Sequence, residues 1–324
     1  MRHPGRLCQG IDRHGDHAIH GNKCHYRWDR SIEPVLKVDP GSVVEIEAVD
    51  AGGGQITVDS TAEDVNNIDM GRVNPVTGPV YIAGAEPGDA LKVTLLSFKP
   101  SGWGWTAVIP EFGLLADQFE EPALYIWEYD PVSLAPAPYL KGAKVPLKPF
   151  PGTIGVAPAA QGEHEILPPR RVGGNMDTRD LSEGTVLYLP VEVPGALFSI
   201  GDAHAAQGDG EVCGTAIESP MKVTVRLEVE KGMKLNFPRF TTSGPISRHF
   251  DEQGYEVTMG IGPDLMASAK VAVSDMVDLV SAAHGLSRAE AYMLCSVCAS
   301  LKISEIVDAP DWIVSFYFPK AVFS

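Results

Sequence analysis

Hydrophobic and polar residues alternate with period two along much of the first third of the chain, the signature of half-buried strands. The pattern is clearest at 34–38 (PVLKV), 42–49 (SVVEIEAV) and 90–96 (ALKVTLL). Asp39-Pro40-Gly41 and Glu86-Pro87-Gly88-Asp89 supply the turns. Residues 101–152 are dense in prolines and aromatics, including Gly102-Trp103-Gly104-Trp105, and read as ordered packing loops over a pocket. Strand character returns at 152–157 and again at 222–230, where Val223, Val225, Leu227 and Val229 mark one buried face.

The period then changes. Asp264 starts a helix whose apolar residues, Leu265, Ala269, Ala272, Met276, Val280 and Ala283, recur at helical spacing, and Gly285 closes it. Ser287 and Glu290 form a capping box for a second helix running to about Ser300. A strand at 312–318 ends the pattern. The expected fold is mainly β, a sandwich- or barrel-like body with a small α+β C-terminal part. Residues 1–24, without periodicity, are expected to be a flexible arm, His14, His17 and His20 included. A β-rich part at 25–160 and a part at 161–324 would share one compact unit.

Composition narrows the function. The chain has 324 residues and a net charge of −16, which disfavours binding to nucleic acid or an anionic membrane surface. No apolar run reaches membrane-spanning length, and the first residues lack the apolar core of a secretory signal. Five cysteines make no disulfide framework for a chain of this size, so a cytoplasmic location is expected.

The densest chemistry lies at 199–219, SIGDAHAAQGDGEVCGTAIES. Side chains two apart on a strand share a face, so Asp202 and His204 would point together at one strand's end. Asp209 and Glu211 would do so at the next strand's start, with Gly208 and Gly210 forming the bend. An imidazole beside hard oxygen donors suits a divalent cation, with Zn²⁺ first and Ca²⁺ second. The acidic spacing is not that of a helix–loop–helix calcium loop. Glu211 is either a further ligand or the general base. Asp177, after two glycines, and Asp50, beside three, are further carboxylate candidates, while Asp59 and Asp64 read as caps of a short helical turn. His25, Asn74 and Trp103 are candidates for substrate contact, with Trp105 beside Trp103 as a pocket wall.

Two rival chemistries stand beside this one. Cys213, two residues past Glu211, suggests a thiol nucleophile with a carboxylate base and a distant lysine such as Lys144 or Lys148. A non-catalytic β-sandwich module with a structural cation is the other. Cys295 and Cys298 form a C-x-x-C that reads as a packed helix face.

Several segments together resemble the acetamidase/formamidase family. They are Trp28-Asp29, Asp50 with Gly53-Gly54-Gln55, the NPVTGP of 74–79, the GAEPGD of 84–89 and the GWGW of 102–105. The PRRVGGNMD of 169–177, the GDAHAAQGDGE of 201–211 and the AYMLC of 291–295 complete the set. The resemblance runs from about His25 to the C-terminus. It implies hydrolysis of a short amide to a carboxylic acid and ammonia, a β-rich fold with a metal-associated site, and a cytoplasmic homo-oligomer.

Overall fold

A computed structural model describes residues 17–244, 250 and 252–324. Two antiparallel-dominated sheets face each other. In the first, the strands run in the order His17–Ile19, Val43–Ala48, Met221–Glu230, Ala90–Pro100, Val186–Pro190, Arg239–Thr241. The second orders Gly173–Asn175, Phe150–Gly155, Phe198–His204, Val76–Ile82 and Cys24–His25, and Leu36–Val38 pairs in parallel with Val76–Ile82. Their inward side chains meet in one core: Val44, Ile46, Leu91, Val93, Val223 and Val225 from the first, Val80, Ile154, Phe198 and Ile200 from the second. The alternation at 222–230 thus points where its pattern required, with Val223, Val225 and Leu227 buried and Val229 partly so.

The C-terminal part is a three-stranded antiparallel sheet, ordered Tyr255–Gly262, Trp312–Pro319, Ser300–Glu305, with helix Leu265–His284 packed on it. Both helix starts follow the capping logic. Asp264 Oδ1 accepts from Ala267 N at 2.7 Å, and the Ser287/Glu290 capping box forms. Gly285 ends the first helix in the left-handed region. The second helix, Arg288–Cys298, is buried from Ala291 through Cys298 and packs into a core with Trp127, Tyr139 and Phe119 from the middle section. It stops two residues short of the expected end because the chain turns into a strand at Ser300. The middle section also holds a hairpin, Trp103–Val108 with Ala123–Glu128, where loops were expected.

The expected arm boundary at residue 24 is too late. His17–Ile19 pairs in parallel with Val43–Ala48, and Cys24 pairs with Thr77. Strands of two or three residues have no period to display, so pairing at a sheet edge leaves no trace in the sequence pattern. His17 sits in that edge strand and His20 lies 3.4 Å from Glu47; His14 lies outside the described residues. Among the described residues no helix is long and apolar enough to cross a membrane.

Close backbone approach sets one requirement at the centre of the second sheet. A Cβ at Gly201 would stand 2.0 Å from the Pro75 carbonyl oxygen. Gly201→Ala is expected to destabilise the protein by about 1–3 kcal/mol through overpacking, measured as a lower urea midpoint with an unchanged m-value.

Candidate functional site

The Phe198–His204 strand ends at the mouth of the second sheet with Asp202 and His204 on one face, as their spacing predicts. His204 Nε2 lies 3.2 Å from Asp202 Oδ1. The expected second strand of the hairpin does not form. Residues 205–217 run as loop and turn, with Gly208 so close to Ala299 that a Cβ there would meet its oxygen at 1.7 Å. That loop folds Glu211 back over the strand end, its Oε1 3.9 Å from His204 Nε2, and sends Asp209 away to Arg179 at 3.1 Å.

Glu218 completes the centre. Its Oε2 is 3.2 Å from His204 Nε2, and its backbone pairs with both Trp105 and His204. The sequence carried a weak signal for it, a lone acid inside the apolar Ala216-Ile217-Glu218-Ser219-Pro220 run. Asp177 arrives from the Gly173–Asn175 edge. Gly152 makes room for it, since a Cβ there would lie 2.6 Å from His204 Cε1 and 2.8 Å from Asp177 Oδ1. Asn74, Asp177, Asp202 and Glu211 all have positive φ, between 41° and 49°, a strained placement that clusters at functional sites.

Neighbours orient the donors. His204 Nδ1 faces Gln207 Oε1 at 2.9 Å, while Gln207 Nε2 donates to the Asp177 carbonyl at 2.7 Å. The amide oxygen therefore accepts the Nδ1 proton and leaves Nε2 turned to the carboxylates. Asp202 Oδ2 accepts from Asn74 Nδ2 at 2.7 Å and from Thr153 Oγ1 at 3.1 Å. The Phe150 ring stands edge-on to the imidazole, centroids 5.0 Å apart.

The remaining candidates separate. Asp50 is buried, but its Oδ1 is taken by Trp105 Nε1 at 3.1 Å and Gly52 N at 2.8 Å, and it joins neither group of converging donors. It holds Trp105, which lines the cavity. His25 spends both ring nitrogens, on the Arg27 carbonyl at 2.7 Å and Ser199 Oγ at 2.9 Å, and does not line the cavity. Asn74 lines it; Trp103 does not, and Trp105 takes that place. Asp64 closes a capping box on the short helix Ala62–Val65, whereas Asp59 does not cap it. Cys213 is buried off the cavity lining, its thiol donating to the Ala107 carbonyl at 3.4 Å, and burial pushes it up to about 11. Lys148, one lysine considered for it, pairs with Asp180 at 3.3 Å.

Crowded acids in a dry site shift together. Burial, then the Asp202 charge, pushes Asp177 up to about 8. Burial pushes Glu218 up to about 7, with Asp202 adding to the shift and His204 opposing it. Burial and Asp177 hold Glu211 well above the carboxylate range. For His204 burial pulls down, but Glu218 and Asp202 outweigh it and keep the imidazole well above its ordinary value.

Two donor groups share the imidazole: Asp202, His204 and Glu218, and Asp177, His204 and Glu211, each with ligand atoms within 4.8 Å of one another. The residues fit a divalent cation on two counts. Buried Glu218 Oε2 and Asp177 Oδ1 make no hydrogen bond. The Nε2-to-carboxylate separations of 3.2, 3.2 and 3.9 Å are also close to the roughly 3.4 Å edge of a tetrahedral shell with bonds of ~2.1 Å.

A β-rich body thus carries a buried acid–imidazole centre whose carboxylates reach a cavity. The chain belongs to the acetamidase/formamidase family, whose model matches residues 11–166 and 159–324. It is therefore a hydrolase acting on amide C–N bonds. It is 29% identical over 305 residues to a formamidase of Methylophilus methylotrophus, covering 74% of this chain and 72% of the relative. A gamma lactamase from Delftia acidovorans superposes with a TM-score of 0.86 at 26% identity, over 93% of this chain and 90% of that one. An acetamidase from Bacillus halodurans gives a TM-score of 0.66 at 31% identity, over 93% and 97%.

The raised values carry a stability sign. Between about pH 4, where free carboxyls ionise, and about 8, the value to which Asp177 is pushed, the folded protein holds protons that the unfolded chain has released. Stability of chelator-stripped protein is therefore expected to fall as pH rises through that window. Asp177→Asn, which removes one of the mutually repelling acids, should flatten the dependence and raise the pH 8 melting temperature, read by scanning calorimetry. Iodoacetamide on the native protein should label partly exposed Cys24 and spare Cys213, Cys295 and Cys298 without loss of amidase activity, read by peptide mass spectrometry.

Proposed function

We propose that the protein hydrolyses a small carboxamide to a carboxylic acid and ammonia, with a divalent cation held by Asp202, His204 and Glu218. The observation that carries this reading is the convergence of carboxylate oxygens on one imidazole nitrogen at the floor of a cavity. An imidazole with carboxylates favours Zn²⁺, because Ca²⁺ takes six to eight oxygen donors. When bound, such a cation polarises the amide carbonyl and makes water acidic enough to react near neutral pH.

The chain's own groups handle the protons. Glu211 and Asp177 are neighbours whose proton affinities are raised by burial and by their mutual repulsion. The charge of a bound cation would lower both, so that the pair would work with one carboxylate ionised and the other protonated. The ionised partner takes the proton of the attacking water as its oxygen bonds to the carbonyl carbon. The pair then delivers a proton to the nitrogen as the C–N bond breaks. Gln207 and Asp202 keep His204 oriented through the cycle, and Asn74 with Thr153 keeps Asp202 oriented. The thiol mechanism has no support from the position of Cys213. A cyclic amide is the second reading, favoured by the closer superposition on the gamma lactamase than on the acetamidase.

The test is ammonia release from a panel of small amides before and after chelation. Activity should vanish on chelation and return with Zn²⁺. Glu218→Gln should lose bound metal and activity together. Glu211→Gln should keep the metal and lose at least a hundredfold in kcat, within the range of general acid–base catalysis. Full turnover by metal-free protein would refute the scheme.

A further inference from the structure

The reaction accounts for the polar half of the cavity and leaves the apolar half without a task. The same cavity is also lined by Ile68, Met70, Ile109, Phe112 and Leu167, drawn from three separate segments of the chain. Met70 is 45% and Phe112 38% exposed, a cost to solubility that a purely polar substrate would not repay.

The wall is also built rather than incidental. Met70 opens a one-turn helix that Asp69 caps by accepting from Gly71 N at 2.9 Å, and Gln55 Oε1 holds Asp69 N at 2.7 Å. Phe112 closes a turn onto the Ile109 carbonyl at 3.1 Å. Its ring lies on Gly214, where a Cβ would stand 2.5 Å from the ring's Cδ1, and Gly214 has φ +87°. Only glycine at 214 allows the ring this seat over the cavity.

Size argues the same way. The cavity has a volume of ≈ 110 Å³, against the ~10–15 Å³ that one water needs, so it takes on the order of seven to eleven water-sized groups. Acetamide has four heavy atoms and one methyl, and formamide has no methyl. We infer that the site takes primary amides with an apolar acyl chain or ring of about four to six carbons in preference to formamide and acetamide, the acyl group lying on Ile68, Met70, Ile109, Phe112 and Leu167. The inference rests on the amide-hydrolase reading above.

The test uses the full-length, metal-loaded enzyme with straight-chain primary amides from formamide to octanamide, and with cyclopentanecarboxamide. kcat/KM should rise about three- to fourfold per methylene, equivalent to ~0.8 kcal/mol, and stop rising beyond six carbons. Met70→Ser and Phe112→Ser should each lower that slope. Binding of the same amides, followed by NMR titration, gives a readout independent of turnover. Affinity that climbs with chain length, with no amide hydrolysed, would support the acyl site and sink the hydrolase reading. Hydrolysis with a flat or falling length dependence would overturn the acyl site and leave the hydrolase reading intact.

Discussion

Too much negative charge for one imidazole is the constraint on which this structure depends. Four carboxyl groups, of Asp177, Asp202, Glu211 and Glu218, gather round a buried His204, two of them buried with it and two partly so. Desolvation and mutual repulsion both oppose that arrangement, and protons or a cation must offset it. Each element of the second sheet near the site helps hold it. The Phe198–His204 strand carries two of the groups, and the Phe150–Gly155 strand supplies the gap at Gly152 and the Thr153 hydroxyl. Left-handed backbone placements aim Asp177, Glu211, Asp202 and its partner Asn74, while Glu218 comes from the bridge to Trp105 and His204.

Such a site needs a rigid setting, and the two sheets provide it. Their shared core locks the strand that bears Asp202 and His204 between two hydrogen-bonded neighbours. Loops then bring the other acids in, and their backbone hydrogen bonds leave little freedom. Glu211 N bonds Gly208 O, Gly208 N bonds Ser296 O, and Ser296 Oγ bonds the Thr215 carbonyl. The buried helix Arg288–Cys298 therefore acts on the site from behind, by supporting the loop that carries Glu211. The same packing that holds this loop also encloses Cys213, which keeps a thiol only two residues from Glu211 out of the cavity. Its sulfur faces Ala107 and Thr215 rather than the cavity.

Pairs of roles predicted from adjacency alone exchanged partners in three dimensions. Trp103 and Trp105 both stood as pocket walls, yet only Trp105 lines the cavity, where its indole also ties down Asp50. His25 and Ser199 bond each other away from the cavity, which makes His25 a brace between strands. Asp209 and Glu211 alternate in sequence, but without a strand beneath them alternation does not imply a shared face. One turns to Arg179 and the other to His204.

Local chemistry was readable from the chain itself. Period-two alternation marked the long strands, capping residues marked both C-terminal helices, and the two-residue spacing of Asp202 and His204 set them on one face. These features depend on neighbours a few residues apart, and such neighbours are written in the sequence. Tertiary structure decided what depends on distant partners. It paired His17–Ile19 at a sheet edge, brought Glu218 to the same imidazole nitrogen as Asp202, and set Gln207 behind His204. It also drew the apolar wall from three segments that share no pattern. A carboxylate's role is set by which groups share its desolvated volume, and only the folded chain determines that volume.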